Sequence, residues 1–330
     1  MPVASVIIPA YNAGGTLAEC LMALEREGVP GPDVDLIVVD DRSDDGTASI
    51  ARGRQLCTLA GAGRGPAAAR NLGAREARGE VLVFLDADTA PEPGWLAALL
   101  APFDDPGVVA VKGAYHSAQR SLVARFSQLE FESKYARLAR ARRVDFVDTG
   151  TAAFRRQAFF DAGGFDESFP ANSAEDVELA FRLSAGGARL AFQPAARVQH
   201  RHPERLRDYL TKKMRYGYFR TAVYGRHPSK ALGDSYTPPL MGVQICLAGL
   251  LAGLSIASLV NRAAARRLPV VLALFGGTTL PLARRAASDD PVLAAAAPSL
   301  VLARSFAQGL GIAAGLMAGL GKRLRATVAP

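Results

Sequence analysis

Val81-Leu-Val-Phe-Leu85 is an unbroken apolar run that stops abruptly at two carboxylates, Asp86 and Asp88, with Ala87 between them. A continuous run of this kind suits a central parallel strand covered on both faces, whereas a half-exposed strand would alternate. The carboxyl end of such a strand is where an open α/β sheet binds ligands. In an extended segment alternate side chains point the same way, so the two acids are expected to converge on one site. Two carboxylates there repel each other unless a cation or a donor-rich ligand compensates them. A hard divalent ion with oxygen ligands, shared with phosphates, meets that need.

The rest of the first hundred residues supports a layered sheet. Ala4 to Pro9 and Val34 to Val39 read as buried strands, with helices over Thr16–Gly28, from Gly46-Thr47 onward and over Pro66–Glu76. Strand–helix alternation predicts a Rossmann-like, mostly parallel α/β architecture. Thr16 and Glu19 have the spacing of a capping box, and Asp44 and Asp45 are expected to cap the helix after Gly46. The glycine-rich stretch Gly61-Ala-Gly-Arg-Gly65 lacks dinucleotide-fold spacing, because Pro66 falls where that pattern fails. Beyond Pro91 the sequence predicts a short helix at Trp95–Leu100 and a long one at Ser121–Arg143. Strands are expected at Val108–Lys112, Thr151–Phe154, Arg189–Phe192 and Arg197–His200, and a helix at Asp176–Ala185.

From Pro203 the character changes. Leu206, Leu210, Met214 and Tyr218 recur every fourth residue among Arg205, Arg207, Lys212, Lys213 and Arg215, predicting an amphipathic helix with a cationic face. Leu240 to Val260 carries no charge and has the length to cross a bilayer. Leu268–Ala283 and Pro291–Leu320 are apolar but interrupted, the first by Pro269 and Pro281, the second by Arg304; Lys322, Arg323 and Arg325 close the last. The domain expectation is therefore 1–202 catalytic, 203–235 juxtamembrane and 236–330 membrane-associated helices. Hydrophobic residues reach 49% beside 21% charge, with a net charge of +8. Basic excess next to an apolar tail points to an anionic membrane surface rather than nucleic acid, for which no aromatic–basic module is visible. Cys20, Cys57 and Cys246 are too scattered for a disulfide framework or a zinc site, and no cleavable signal sequence is expected.

Taken in order, Val6-Ile-Ile-Pro-Ala-Tyr-Asn12, Val38-Val-Asp-Asp-Arg-Ser-Asp-Asp-Gly-Thr47, Ala69-Arg-Asn-Leu-Gly73 and Phe84-Leu-Asp-Ala-Asp-Thr89 resemble the motif series of family 2 glycosyltransferases with the GT-A fold. Gly150-Thr-Ala-Ala-Phe, Gly163-Gly-Phe-Asp-Glu and Glu175-Asp-Val-Glu-Leu extend the resemblance over roughly two hundred residues. It implies a nucleotide-sugar donor, Mn²⁺ or Mg²⁺, and donor-lining positions at Pro9, Tyr11, Asp41, Arg70, Asp86, Ala87 and Asp88. Tyr11 would stack on the base. Asp41 would accept the imide N–H of uracil, favouring UDP. Arg70 would pair with phosphate or with Asp41. Asp88 would ligate the metal with His200 as a further ligand, and Asp86 would bind ribose or the metal's water. Asp176, the second acid of the Glu175-Asp176 pair, would be the base for an inverting transfer, with Glu175 orienting the acceptor. The spacing from Ser173 also allows a capping-box role for Asp176.

One departure is informative. Processive polysaccharide synthases carry a Q-x-x-R-W segment, where this chain reads Lys212-Lys-Met-Arg-Tyr-Gly217; the resemblance thus favours single transfer. A lipid-linked or envelope-glycan acceptor, and a catalytic domain on the cytoplasmic face of a bacterial inner membrane, are expected from the apolar segments. Arg262, Arg266 and Arg267 follow the first segment, so a simple outward crossing runs against the positive-inside bias. The competing readings are a nucleotidyltransferase, whose lysine-containing phosphate loop is replaced here by Val6–Asn12, and a catalytically silent membrane scaffold that retains donor binding.

Overall fold

The apolar runs of the first hundred residues become β1 (Ala4–Ala10), β2 (Val34–Asp40), β3 (Cys57–Ala60) and β4 (Val81–Leu85), all mutually parallel. The computed structural model of the chain describes residues 3–169 and 174–328. Between the strands run α1 (Leu17–Arg26), α2 (Thr47–Arg52) and α3 (Pro66–Glu76). After β4 come β5 (Thr89–Pro91), α4 (Trp95–Leu100), β6 (Val108–His116), α5 (Leu122–Leu138), β7 (Thr151–Arg155), α6 (Arg156–Asp161), α7 (Glu175–Ala185) and β8 (Arg189–His200). The eight strands form one sheet in the order β3-β2-β1-β4-β7-β6-β8-β5.

Strand polarity gathers the chemistry at one edge. β7 is antiparallel to β4, with Leu85 opposite Thr151, so the residues entering β7 lie beside those leaving β4. β6 is antiparallel to β7, and β8 is parallel to β6, which returns both to the direction of β4. Thr89 at the start of β5 pairs with His200 at the end of β8. Tyr11, Asp41, Asp86, Asp148 and His200 therefore share the carboxyl edge, although they come from five separate segments. As expected for a central strand, β4 is buried along its whole length.

The chain groups into two compact units, Met1–Ala118 with Tyr135–Arg201, and Gln119–Lys134 with His202–Pro330. Residues 119–134 group with the later helices, as do residues 203–235. The second unit contains α8 (Leu206–Arg226), α9 (Pro239–Ala257), α10 (Arg262–Ala287) and α11 (Pro291–Val328). Two of these, α9 and Pro291–Gly319 of α11, are long and apolar enough to cross a membrane, with mean hydropathies of 2.0 and 1.4. α10 runs unbroken through Pro269 and Pro281. The basic closing segment at Lys322, Arg323 and Arg325 has side chains outside the described residues.

Several local expectations are corrected. Cys57–Ala60 forms a partly exposed edge strand whose four residues are too few to signal one in the sequence, so Val81–Leu85 is the fourth strand and not the third. The two strands expected at 189–200 are one. Thr16 occupies the N-cap of α1 but makes no side-chain cap; its hydroxyl donates to Ala13 O, and Glu19 pairs with Arg201 instead. Asp44 caps nothing; its N–H donates to the Asn12 side chain. On α8 the buried residues are Tyr209, Lys213, Gly217 and Val223, while Leu206, Met214 and Tyr218 stay exposed. A Cβ at Gly217 would meet the backbone of Gln308, so α11 packs closely against α8 at that buried position.

Tight packing also places α3. A side chain at Gly73 would overlap Ile7 Cγ2 and crowd Val39 Cγ2 at 3.1 Å, so glycine there lets α3 lie directly on β1 and β2. Gly73→Val should lower unfolding stability by about 1–3 kcal/mol through overpacking, read as a lower denaturation midpoint of the full chain. An unchanged midpoint would show that α3 can shift freely on the sheet.

Candidate active site

Arg70 sits in the middle of α3 with 1% exposure, its guanidinium shared between two acids. Nη2 donates to Asp86 Oδ1 and Nη1 to Glu175 Oε1, each at 2.8 Å. Burial alone would lower its pKa, but Asp86 and Glu175 hold it more firmly charged than usual. The expected pairing of Arg70 with Asp41 does not occur, and a guanidinium engaged in this way is not extended toward a phosphate. Glu175 is fully buried and its second oxygen accepts from Ala174 N, so it braces Arg70 rather than reaching outward to orient an acceptor.

Asp41 has a different duty. Its two oxygens accept the backbone N–H groups of Gly63 and Gly65, both at 2.7 Å. A Cβ at Gly61 would lie 2.5 Å from Asp41 Oδ1, and Gly63 has φ +71. The glycine-rich loop is therefore wrapped on the Asp41 carboxylate and leads directly into α3. Each carboxylate oxygen keeps a second lone-pair direction. Asp40 Oδ1 accepts from Ser43 N, as a turn stabiliser should. Asn12, in left-handed conformation with φ 49, ties the neighbouring loop by accepting from Asp44 N and donating its own N–H to Ser43 Oγ. Asp45 bonds Gly14 N and both the N–H and hydroxyl of Thr47. Tyr11, on the first of these loops, is 66% exposed; Pro9 is half-buried at the strand end beneath it.

The D-x-D segment is not extended. The N–H and hydroxyl of Thr89 both donate back to Asp86 O, closing a turn that holds Asp86 against Arg70 and leaves Asp88 exposed, with Ala87 buried between. Both acids remain close to Cys20 on α1: burial first, then Asp88 and Asp86, push that thiol well up, and Sγ lies 3.9 Å from Asp86 O. His200 is buried, its ring 4.7 Å from that of Tyr115.

Asp176 lies in the first turn of α7. Its Oδ2 accepts from Thr149 N at 3.2 Å and its Oδ1 from Val177 N at 2.7 Å. Burial, then Glu175 and Asp148, push its pKa up to about 7, against the opposing pull of Arg70. The suggested capping box cannot be judged at Ser173, which is outside the described residues; Ala174 holds the cap position without a side-chain bond. A carboxylate with a pKa near neutrality, at the carboxyl edge of the sheet, is suited to proton abstraction.

Four contributors were not anticipated. Asn71, next to Arg70, donates to Phe165 O and Glu167 Oε1 and accepts from Phe165 N, clamping the Gly163-Gly-Phe-Asp-Glu167 segment to α3. Lys112 and Tyr115 of β6 both bond Asp148 Oδ1. Asn71 stands inside a motif already noted, and Asp148 lies two residues before another. Nothing in the sequence around Lys112 distinguishes it from a strand-end surface charge.

Acids are concentrated here: Asp86, Asp88, Asp148, Glu175 and Asp176 gather at this edge, with Arg70 pairing Asp86 and Glu175 and Lys112 pairing Asp148. An anionic diphosphate entering this edge needs a cation to accompany it. Among the described residues no group of three or more His, Cys, Asp or Glu could enclose a metal on its own. Exposed Asp88 and buried His200, whose strand neighbour is Thr89, could serve instead an ion that takes its remaining ligands from phosphate and water, a common arrangement for Mg²⁺.

The model of the family described as Glycosyl transferase family 2 matches residues 5–162. The pre-mycofactocin glycosyltransferase of Mycobacterium tuberculosis (strain CDC 1551 / Oshkosh) is 37% identical over 215 residues, covering 62% of this chain and 45% of the relative. The chain thus spans about half the length of the curated relatives it matches. Among solved structures, the mannosyltransferase PcManGT from Pyrobaculum calidifontis, in complex with GDP-Man and Mn²⁺, superposes with a TM-score of 0.62 at 23% identity, covering 94% of this chain and 87% of that one. Glucosyl-3-phosphoglycerate synthase from Mycobacterium tuberculosis, in complex with Mn²⁺, UDP and phosphoglyceric acid, gives 0.50 at 19% identity over 68% of this chain and 79% of that one. The sheet and its helices are the Rossmann-like GT-A fold.

Arg70→Met leaves Glu175 buried without its cation and should cost about 3–5 kcal/mol of stability. Arg70→Lys should recover little, since one ammonium cannot reproduce a planar fork donating to two acids. Denaturation midpoints of the two variants check this, and full recovery by lysine would contradict the bridging role.

Proposed function

We propose that the chain, which the Glycosyl transferase family 2 model matches over residues 5–162, is an inverting glycosyltransferase, moving one sugar from a nucleotide-diphosphate donor to a hydroxyl acceptor. The observation that carries the reading is the Arg70 bridge. One guanidinium ties Asp86, of the D-x-D turn, to Glu175, the neighbour of Asp176. Donor motif and base are thereby held around a single side chain.

In this reading Asp176 takes the proton from the acceptor hydroxyl as that oxygen attacks the anomeric carbon from the face opposite the leaving group. Displacement in one step inverts the centre and needs no enzyme nucleophile. The backbone N–H groups of Thr149 and Val177 hold the carboxylate in place while Glu175 and Asp148 keep it basic. Tyr11 offers an exposed ring to the base, and Asp41 holds the loop that borders it while retaining lone pairs for an imide N–H, which is the basis for favouring UDP. A divalent cation held by Asp88 and His200 would compensate the charge gathering on the departing diphosphate.

For the acceptor we propose a lipid-linked or envelope-glycan hydroxyl, with the catalytic unit at the cytoplasmic face of a bacterial inner membrane. The support is the apolar exterior of the helical unit, where Val243, Leu250, Ile256, Leu310, Leu316 and Met317 are all exposed, together with the length and hydropathy of α9 and α11. An apolar surface of that extent is unusual on a protein surrounded by water. Single transfer rests on the segment Lys212–Gly217, which lacks the glutamine and tryptophan of a processive synthase.

Two measurements test the proposal. In a thermal-shift screen of UDP, GDP and dTDP sugars with Mn²⁺, a ligand preferring the folded chain raises its apparent stability. A UDP compound should give a Mn²⁺-dependent rise that Asp88→Ala abolishes; a rise that survives Asp88→Ala would remove Asp88 from the metal site. Asp176→Asn should keep that donor shift while transfer falls by roughly 10²–10⁴-fold, the usual contribution of a general base. Because the base must be ionised, kcat/KM should rise with pH and level off above an apparent pKa of about 7. Equal turnover with and without Asp176 would instead favour a silent donor-binding scaffold.

A further inference from the structure

Lys112 is a fully buried lysine at the core of the sheet, an expensive place for an ammonium. It is held there by Asp148, with Nζ 2.5 Å from Oδ1, and lies over the rings of Tyr115 and Tyr135 at 5.0 and 5.5 Å. The Tyr115 hydroxyl donates to the same Asp148 oxygen at 2.9 Å, and the Tyr135 hydroxyl accepts from Tyr115 N at 2.8 Å. Among the described residues Asp148 Oδ2 has no bonding partner, and the side chain retains 16% exposure. The next residue is Thr149, whose N–H donates to Asp176 Oδ2. The one after is Gly150, whose carbonyl accepts from Asp86 N and where any side chain would overlap the Tyr115 hydroxyl. Three consecutive residues thus contact a buried cation, the proposed base and the D-x-D turn.

We infer that Asp148 is a positioning residue for Asp176: anchored by Lys112 and Tyr115, it fixes the Thr149 peptide that orients the Asp176 carboxylate and sets the charge facing it. The inference rests on Asp176 being the base. Its physical content is independent of turnover. Asp176 is faced by Glu175 from its own helix, by Asp148 from the segment entering β7 and by Arg70 from α3. Glu175 is already neutralised by Arg70 at 2.8 Å. Asp148 is neutralised only through Oδ1, so part of its charge remains directed at the base. The Lys112–Asp148 pair therefore works as a graded control: removing the acid relieves Asp176 of a like charge, and removing the cation exposes Asp176 to the whole of it.

The two partners of one ion pair should consequently move Asp176 in opposite directions, which no loss of packing would produce. Proton linkage reads this without any substrate. Asp176 ionises near 4 in an unfolded chain and near 7 in the folded one. As pH rises through that window the unfolded chain has released its proton while the folded one still holds it, so stability falls. Above the folded value both forms are ionised and the dependence ends. The difference in melting temperature between the full-length chain and its Asp176→Asn form, measured in detergent from pH 4 to 9, isolates this contribution.

In an Asp148→Asn background the upper end of that window should move down by about one pH unit or more. In a Lys112→Met background it should move up. Should Lys112→Met fail to fold, Lys112→Met combined with Asp148→Asn removes the unpaired acid and should return the midpoint to that of Asp148→Asn alone. A midpoint unmoved by Asp148→Asn, or displaced the same way by both single variants, overturns the inference. With UDP-glucose and Mn²⁺ as probe, the acidic limb of kcat/KM should follow the linkage midpoint in each variant. Linkage that moves as stated while Asp176→Asn leaves turnover unchanged would refute the base and leave the Lys112–Asp148 control intact.

Discussion

The first unit depends on a single buried charge. Placing the Arg70 guanidinium inside the protein requires acids on both sides of it, because an unpaired cation there would cost several kcal/mol. Those acids come from the turn after β4 and the start of α7, far apart in the chain. The fold must therefore bring α3, the D-x-D turn and α7 to one point or forfeit the ion pair. Other details follow from that demand. Gly73 lets α3 lie on β1 and β2, Asp41 folds the loop that launches the helix, and Asn71 clamps the 163–167 segment beside it.

Around this bridge the edge is left deliberately short of positive charge. Arg70 and Lys112 neutralise the deepest acids, while Asp88 faces solvent and Asp176 is kept reluctant to ionise. Burial first, and that imbalance added to it, raise the Cys20 thiol beneath the D-x-D turn and bring Asp176 up to about 7.

The helical unit is organised by a comparable compromise. Glu130 accepts the Tyr209 hydroxyl and pairs with Lys213 and Arg304, so the charge interrupting the apolar Pro291–Gly319 stretch is satisfied inside the bundle. Burial alone would raise the Glu130 carboxyl, but Lys213 and Arg304 hold it well below the usual range. Gly311 and Gly315 on α11 meet the backbone or side chains of α8 closely enough to exclude any larger residue. The helix face selected for packing is thus the one with glycine and a buried ion pair. The more conspicuous row at Leu206, Met214 and Tyr218 is left outside.

Much of this was legible in the amino-acid order alone. Apolar runs of the right length, ending at Asp40, Asp86 and Tyr11, determined a parallel sheet whose carboxyl edge carries the chemistry, because burial on both faces leaves no other use for such runs. The uncharged segment after Pro239 marked the helical unit for the same reason. What only the tertiary structure decided is which charge meets which. Lys112 and Asp148 are separated by thirty-six positions and Arg70 and Glu175 by one hundred and five, and neither pairing follows a periodicity. Local patterns report which side chains avoid water, a property each residue carries by itself. The partner of a buried ion is chosen by geometry, since Coulomb energy depends on a distance that exists only once the chain has folded.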